Sequence, residues 1–295
     1  MRVFAAFFGL ILVALAAIAV FSYPAWLLLH PRFDFPFHRM GERIGMLALL
    51  AGFVLAAQRL KLADRASLGF GLARPRFLRE MAIGLGLGVI TMGAVVGIMS
   101  ALRLLDWSAA GALGGAALAK LVATRLASGV AVAFIEETFL RGAMLTGIER
   151  ESGAVAAVLL TAATYSATHF FASFHIPPER VTPTSGIALL AGTLQAFADP
   201  LAIADAFLCL FAVGVVLAVI RVTTGNIAAC LGLHAGWVWI MLLVHDMTQP
   251  LRSAPLSFLL SRFDGFIGWL VMLWTLLLGL ALQRFYARRA TAGRA

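Results

Sequence analysis

The chain has 295 residues, 62% hydrophobic and 13% charged, with a mean hydropathy of +0.96. Soluble domains carry about 45–50% apolar and about 25% charged residues, so too few polar side chains remain here to coat a water-facing surface. The composition excludes a soluble enzyme, a disordered chain and, despite the net charge of +9, a nucleic-acid module. It specifies an all-α polytopic membrane bundle. Cys209 and Cys230 sit in apolar runs without metal-finger or disulfide spacing and read as small packed side chains.

A membrane-spanning helix needs about 20 mostly apolar residues. The pattern predicts about eight, over roughly 3–29, 41–60, 80–102, 117–147, 153–174, 201–220, 226–245 and 265–286. Breakers and charges separate them, among them Arg74-Pro75-Arg76, Pro177-Pro178 and the segment from Pro250 to Pro255. The first run follows an arginine as a signal peptide would. It is long, however, and no small-x-small cleavage site precedes Tyr23-Pro24, so it reads as an uncleaved span. Between the fifth and sixth spans, Ile187 to Phe197 is apolar but too short to cross, and reads as a re-entrant or interfacial segment.

Basic residues set the orientation. The second connection holds Arg59, Lys61, Arg65, Arg74, Arg76 and Arg79, and the C-terminal tail holds Arg284, Arg288, Arg289 and Arg294. With eight spans both segments fall on one side. The expectation is an integral protein of a bacterial inner membrane with both termini cytoplasmic and the basic charge facing anionic lipid. Gly84/Gly88, Gly93/Gly97 and Gly111/Gly115 stand at the four-residue step that lets helix backbones approach in lipid. No internal repeat or linker interrupts the chain, which reads as a single membrane domain over 1–295.

Almost all of the 14 acidic residues fall in connections or near span ends. Glu136 and Glu137 are the exceptions, deep in the fourth run within Phe134-Ile135-Glu136-Glu137-Thr138-Phe139-Leu140-Arg141-Gly142. An ionisable group at membrane depth costs at least about 2.5–3.5 kcal/mol, which makes function the default reading. On an α-helix Glu137 and Arg141 are i and i+4 and can neutralise each other, while Glu136 lies about 100° away and is left free. A carboxylate without a charge partner in a low-dielectric site is suited to general-base work. The other reading is a buried polar network that only holds helices together. His169 on the fifth span and His234 on the seventh lie at a comparable depth and can converge with Glu136, whereas His30, His38, His175 and His245 fall at span ends or in connections.

Several membrane chemistries lack their motifs. The chain has no His-Glu-x-x-His zinc helix, no Gly-x-Ser-x-Gly elbow, no rhomboid-type Gly-x-Ser-Gly at Ser128-Gly129 and no embedded aspartate pair.

At Glu136, Glu137, Arg141, His169 and His234 the sequence resembles the CPBP family. These are membrane proteases that include the CAAX prenyl endopeptidase and bacteriocin-processing or immunity proteins. Its motif Glu-Glu-x-x-x-Arg is matched by Glu136, Glu137 and Arg141, followed by Gly142. Phe-x-x-x-His is matched at His169 with Tyr165 for phenylalanine, and His-x-x-x-Asn at His234 with Val238 for asparagine. The resemblance covers about 120–245. It implies an intramembrane endopeptidase in which Glu136 activates water, His169 helps to orient it and His234 helps to stabilise the oxyanion. The implied partners are a membrane protein or lipidated peptide as substrate and the bilayer itself, with no nucleic acid. Metal-free glutamate catalysis is the expectation, and zinc on Glu136, His169 and His234 is the alternative.

Valine at 238 cannot donate a hydrogen bond. Trp237 lies near the helical face of His234, so its indole N–H either replaces the missing donor or only packs the helix. A non-catalytic scaffold or bacteriocin-immunity protein is the second functional reading, and a proton-relay transporter the third.

Overall fold

The computed structural model describes residues 1–30, 32–33, 35–108, 114–171 and 174–292. Its helices are α1 (Arg2–Leu29), α2 (Phe37–Arg59), α3 (Arg74–Ala101), α4 (Gly115–Glu136), a π-helical segment (Glu137–Met144), α5 (Leu145–Thr168), α6 (Ser185–Thr193), α7 (Pro200–Thr224), α8 (Ala228–Met247) and α9 (Trp269–Ala292). The only strands among the described residues are β1 (Leu105–Asp106) and β2 (Gln249–Pro250), which pair antiparallel with Leu105 opposite Pro250.

Seven helical runs among the described residues are long and apolar enough to cross a membrane, and one of them, Gly115–Thr168, has 54 residues. At 1.5 Å per residue it would be about 81 Å long if straight, against a hydrocarbon core of about 30 Å. It is not straight. Gly153 has φ 82° and ψ 168°, outside the helical region, a backbone state open mainly to glycine. Arg141 and Tyr165 stand twelve residues either side of that glycine, and the Arg141 guanidinium lies 4.6 Å from the Tyr165 ring centre. On a straight helix the two would be about 36 Å apart. The run therefore doubles back at Gly153 and supplies the fourth and fifth predicted spans.

An even number of passes puts both chain ends on one side, and the contacts agree. The N-terminal amine pairs with Glu151 at 2.8 Å, beside the Gly153 turn. Arg150 donates to Ser67 Oγ in the α2–α3 connection at 2.8 Å, and Arg289 near the C-terminus pairs with Glu80 at the start of α3 at 2.7 Å. The basic connection and the basic tail share this end. The opposite end carries the β1–β2 clip. Arg294 and Gly111 lie outside the described residues.

α3 runs along α8, α8 also packs on α4, and α7 sits between α5 and α9. The α3–α8 seam explains which glycine step matters. A Cβ on Gly84 would meet Ala229 O at 2.5 Å, and one on Gly88 would meet Leu233 O at 2.5 Å. On the facing helix, Gly232 and Gly236 press on the α3 backbone at Met81, Leu85 and Gly88. This second step, which brackets His234, was not singled out in the sequence. Gly93 and Gly97 have nothing within 4 Å of an added Cβ and carry no packing. Apolar side chains such as Leu12, Val20, Leu28, Leu277 and Leu280 point outward, as lipid-facing helices require. α6 is a nine-residue helix against α1, too short to cross, as expected of 187–197.

Candidate active site

The fourth span reaches the site by changing its winding. After Glu136 the α-helix widens to a π-helix over Glu137–Met144, in which Glu137, Leu140, Arg141, Gly142, Ala143 and Met144 are all buried. π segments inside α-helices recur at functional sites. Arg221, itself buried on α7, donates from Nε to Arg141 O at 3.1 Å and from Nη2 to Thr146 Oγ1 at 3.1 Å. An outside donor entering the backbone ladder is a recognised cause of such a distortion. The uniform α-helix expected here is therefore corrected to α–π–α. Nothing in the local sequence of Arg221 marks it as reaching inward.

The Glu137–Arg141 pair survives the altered winding. Arg141 Nη1 donates to Glu137 Oε1 at 3.0 Å, with both side chains wholly buried. The same carboxylate oxygen lies 2.8 Å from His234 Nδ1. A carboxylate accepts, so Nδ1 carries the proton, and in the neutral ring Nε2 keeps its lone pair. Glu137 thus fixes the tautomer and orientation of His234.

Glu136 faces the other side of that imidazole. Its Oε2 is 3.8 Å from His234 Nε2, beyond hydrogen-bond length, and has no hydrogen-bond partner, while the side chain is 29% exposed. Glu136 and His234 thus come together. Their neighbour Glu137 is neutralised by Arg141, and among the described residues no arginine or lysine pairs with Glu136.

His169 stands differently from the expectation. The fifth helix ends at Thr168 and not near 174, so His169 is the first residue beyond it. Its Nδ1 is 2.7 Å from Tyr165 O. A carbonyl only accepts, so this ring nitrogen also carries the proton, and it satisfies one of the carbonyls that a helix end leaves open. His169 meets the cluster through Tyr165, whose ring centre is 4.4 Å from that of His169 and 5.9 Å from that of His234, both edge-on.

Trp237 does not take the place of the missing asparagine. Its indole N–H donates to Thr91 Oγ1 on α3 at 2.9 Å, so the donor is engaged in the α3–α8 seam. Trp239 likewise donates to Val122 O at 3.1 Å. Packing decides both tryptophans.

Zinc would have to be held by Glu136, His169 and His234. The donor types suit it, and each histidine keeps Nε2 free through a bond at Nδ1, as a metal ligand does. Yet among the described residues no three His, Cys, Asp or Glu side chains gather at metal-holding distances. The described arrangement does not fit a ready-made ion site. Cys209 and Cys230 are buried and free, as packed apolar side chains are.

The fold and the site define an integral membrane protein of many helical passes that buries a carboxylate–arginine–histidine cluster and leaves a second carboxylate beside it. Residues 118–240 match the family model described as Rce1-like, the type II CAAX prenyl endopeptidase Rce1-like domain. The match falls within the stretch where the sequence resembles the CPBP family, and it supports that resemblance. No curated protein and no solved structure matches the chain.

Proposed function

We propose that the protein is an intramembrane endopeptidase that hydrolyses a peptide bond of a membrane-anchored or membrane-proximal substrate with water activated by Glu136. The observation that carries the reading is the division of labour between adjacent carboxylates. Glu137 is neutralised and tied to His234, while Glu136 Oε2 faces His234 Nε2 without a partner. A base with nothing to neutralise it is what proton abstraction from water requires.

In this reading Glu136 takes the proton as the water oxygen bonds to the scissile carbonyl carbon. The C–N bond then breaks and the proton passes to the departing amine. With Nδ1–H committed to Glu137, the neutral His234 ring faces Glu136 through the Nε2 lone pair. It donates to the oxyanion only once it shares the proton that Glu136 has taken from water, and His169 orients the water from the other side of Tyr165. The active residues are thus Glu136, His169 and His234, with Glu137 and Arg141 holding His234 in place. An apolar cleft of about 340 Å³ between α1, α2 and α6 borders Phe171 and Phe174 and suits the apolar part of an anchored substrate. The basic end of the bundle supports a cytoplasmic placement of both termini in a bacterial inner membrane.

The missing asparagine and the engaged Trp237 donor favour a second reading, a non-catalytic scaffold or immunity protein that keeps the cluster for packing. One experiment separates the two. Candidate membrane peptides are presented to wild-type protein and to Glu136→Gln in lipid, with and without a chelator. Cleavage by wild type that persists with chelator and vanishes in equally folded Glu136→Gln supports the protease. Equal activity in both proteins, or none in either, sinks it.

A further inference from the structure

We infer that the Tyr165 hydroxyl is the hydrogen-bond donor that stabilises the oxyanion, a role that Val238 cannot fill. The inference rests on the protease reading and adds a catalytic residue to it.

Hydrolysis through a tetrahedral intermediate needs a donor aimed at the carbonyl oxygen as it gains charge. The side-chain donors around the cluster can be followed one at a time. His234 Nδ1–H is engaged by Glu137, and His169 Nδ1–H by Tyr165 O. Trp237 donates to Thr91, whose own hydroxyl donates to Leu87 O, and Trp239 donates to Val122 O. Thr138 donates to Phe134 O, Thr164 to Leu160 O, Ser166 to Phe207 O and Thr168 to Thr164 O. Arg141 Nε has no partner, but Arg141 is wholly buried, with its guanidinium against the face of the Tyr165 ring. Tyr165 is the neutral donor that remains. The residue is 3% exposed, and its hydroxyl makes no hydrogen bond with any described residue.

An unengaged hydroxyl adds no hydrogen bond to the fold, and phenylalanine would pack the same ring. The Tyr165 ring contacts Arg141, His169 and His234 together, so the side chain that carries the hydroxyl stands among the groups of the site. A substrate carbonyl entering beside Glu136 would supply the missing acceptor. The tyrosine only donates a hydrogen bond. As the C–N bond breaks the carbonyl re-forms, and Tyr165 retains its proton throughout.

The test is Tyr165→Phe on a peptide that wild type cleaves. Turnover should fall about 10²-fold, the low end for loss of an oxyanion donor. KM should be unchanged, since the bond strengthens only in the transition state. The melting temperature should hold or rise, because no hydrogen bond of the folded protein is lost. Adding Val238→Asn, one helical turn beyond His234, should return at least tenfold of the loss. Wild-type turnover in Tyr165→Phe, or a loss of turnover that merely follows a loss of folded protein, would overturn the inference and leave the Glu136 mechanism standing. A wild type that cleaves nothing, or a fully active Glu136→Gln, overturns both.

Discussion

Glu137→Gln isolates what the buried ion pair contributes, because Arg141 has little else to hold it. Its guanidinium donates to Glu137 Oε1 at 3.0 Å, reaches Gly214 O only at 3.5 Å, leaves Nε unpartnered and otherwise faces the Tyr165 ring at 4.6 Å. With glutamine at 137 a full charge remains in a site with no exposure. Stranding one member of a buried pair costs about 3–5 kcal/mol, roughly two to three and a half decades in the folding equilibrium at about 1.4 kcal/mol per decade. A cation–π contact with Tyr165, worth about 2 kcal/mol when desolvated, is already present and does not replace the lost charge. Glu136→Gln breaks no hydrogen bond in the folded protein and should cost less than about 0.5 kcal/mol, as at an ordinary partly exposed position. The assay is reversible unfolding in mixed micelles, read by tryptophan fluorescence, for both variants and for Glu137→Gln/Arg141→Met. The double variant should recover much of the stability, since a buried pair exchanged for apolar groups is often neutral. It should stay inactive, since His234 Nδ1 loses its carboxylate acceptor. Equal stabilities for Glu136→Gln and Glu137→Gln would refute this division of roles between the two glutamates.

The helix seam and the topology each give a further expectation. Gly232→Ala pushes a methyl group into the Met81 carbonyl across the α3–α8 seam. It should cost about 1–3 kcal/mol or more and lower turnover by moving His234, whereas Gly93→Ala, with open space around it, should be neutral or slightly stabilising, as thermal melts of the two would show. Single cysteines near Arg103, Arg180 and Arg252 should label from the outside of sealed cells and those near Arg65 and Arg289 should not, with Cys209 and Cys230 silent because both are buried. Labelling of Arg65 and Arg103 positions from the same side would break the eight-pass count.

Much of the architecture was legible in the sequence, for a physical reason. Lipid requires each span to satisfy its own backbone hydrogen bonds and to present apolar side chains, so spans are written locally as long apolar runs. The same economy exposed Glu136 and Glu137, because charge at membrane depth stands out against its surroundings, and the i, i+4 spacing to Arg141 foretold the ion pair.

Decisions made between helices were not legible. The π winding at Glu137–Met144 depends on Arg221, eighty residues away, and on the depth at which α7 delivers it. The end of α5 at Thr168 depends on the His169 ring taking up a carbonyl of its own last turn. The fate of the Trp237 indole depends on Thr91, which faces it because Gly84, Gly88, Gly232 and Gly236 let two backbones touch. The sequence by itself determined which groups have a charge to bury and roughly how deep. Only the tertiary structure decided which of those groups are satisfied by neighbours and which, like Glu136 Oε2 and the Tyr165 hydroxyl, are left free, because a hydrogen bond needs both partners in place and one helix supplies only one of them.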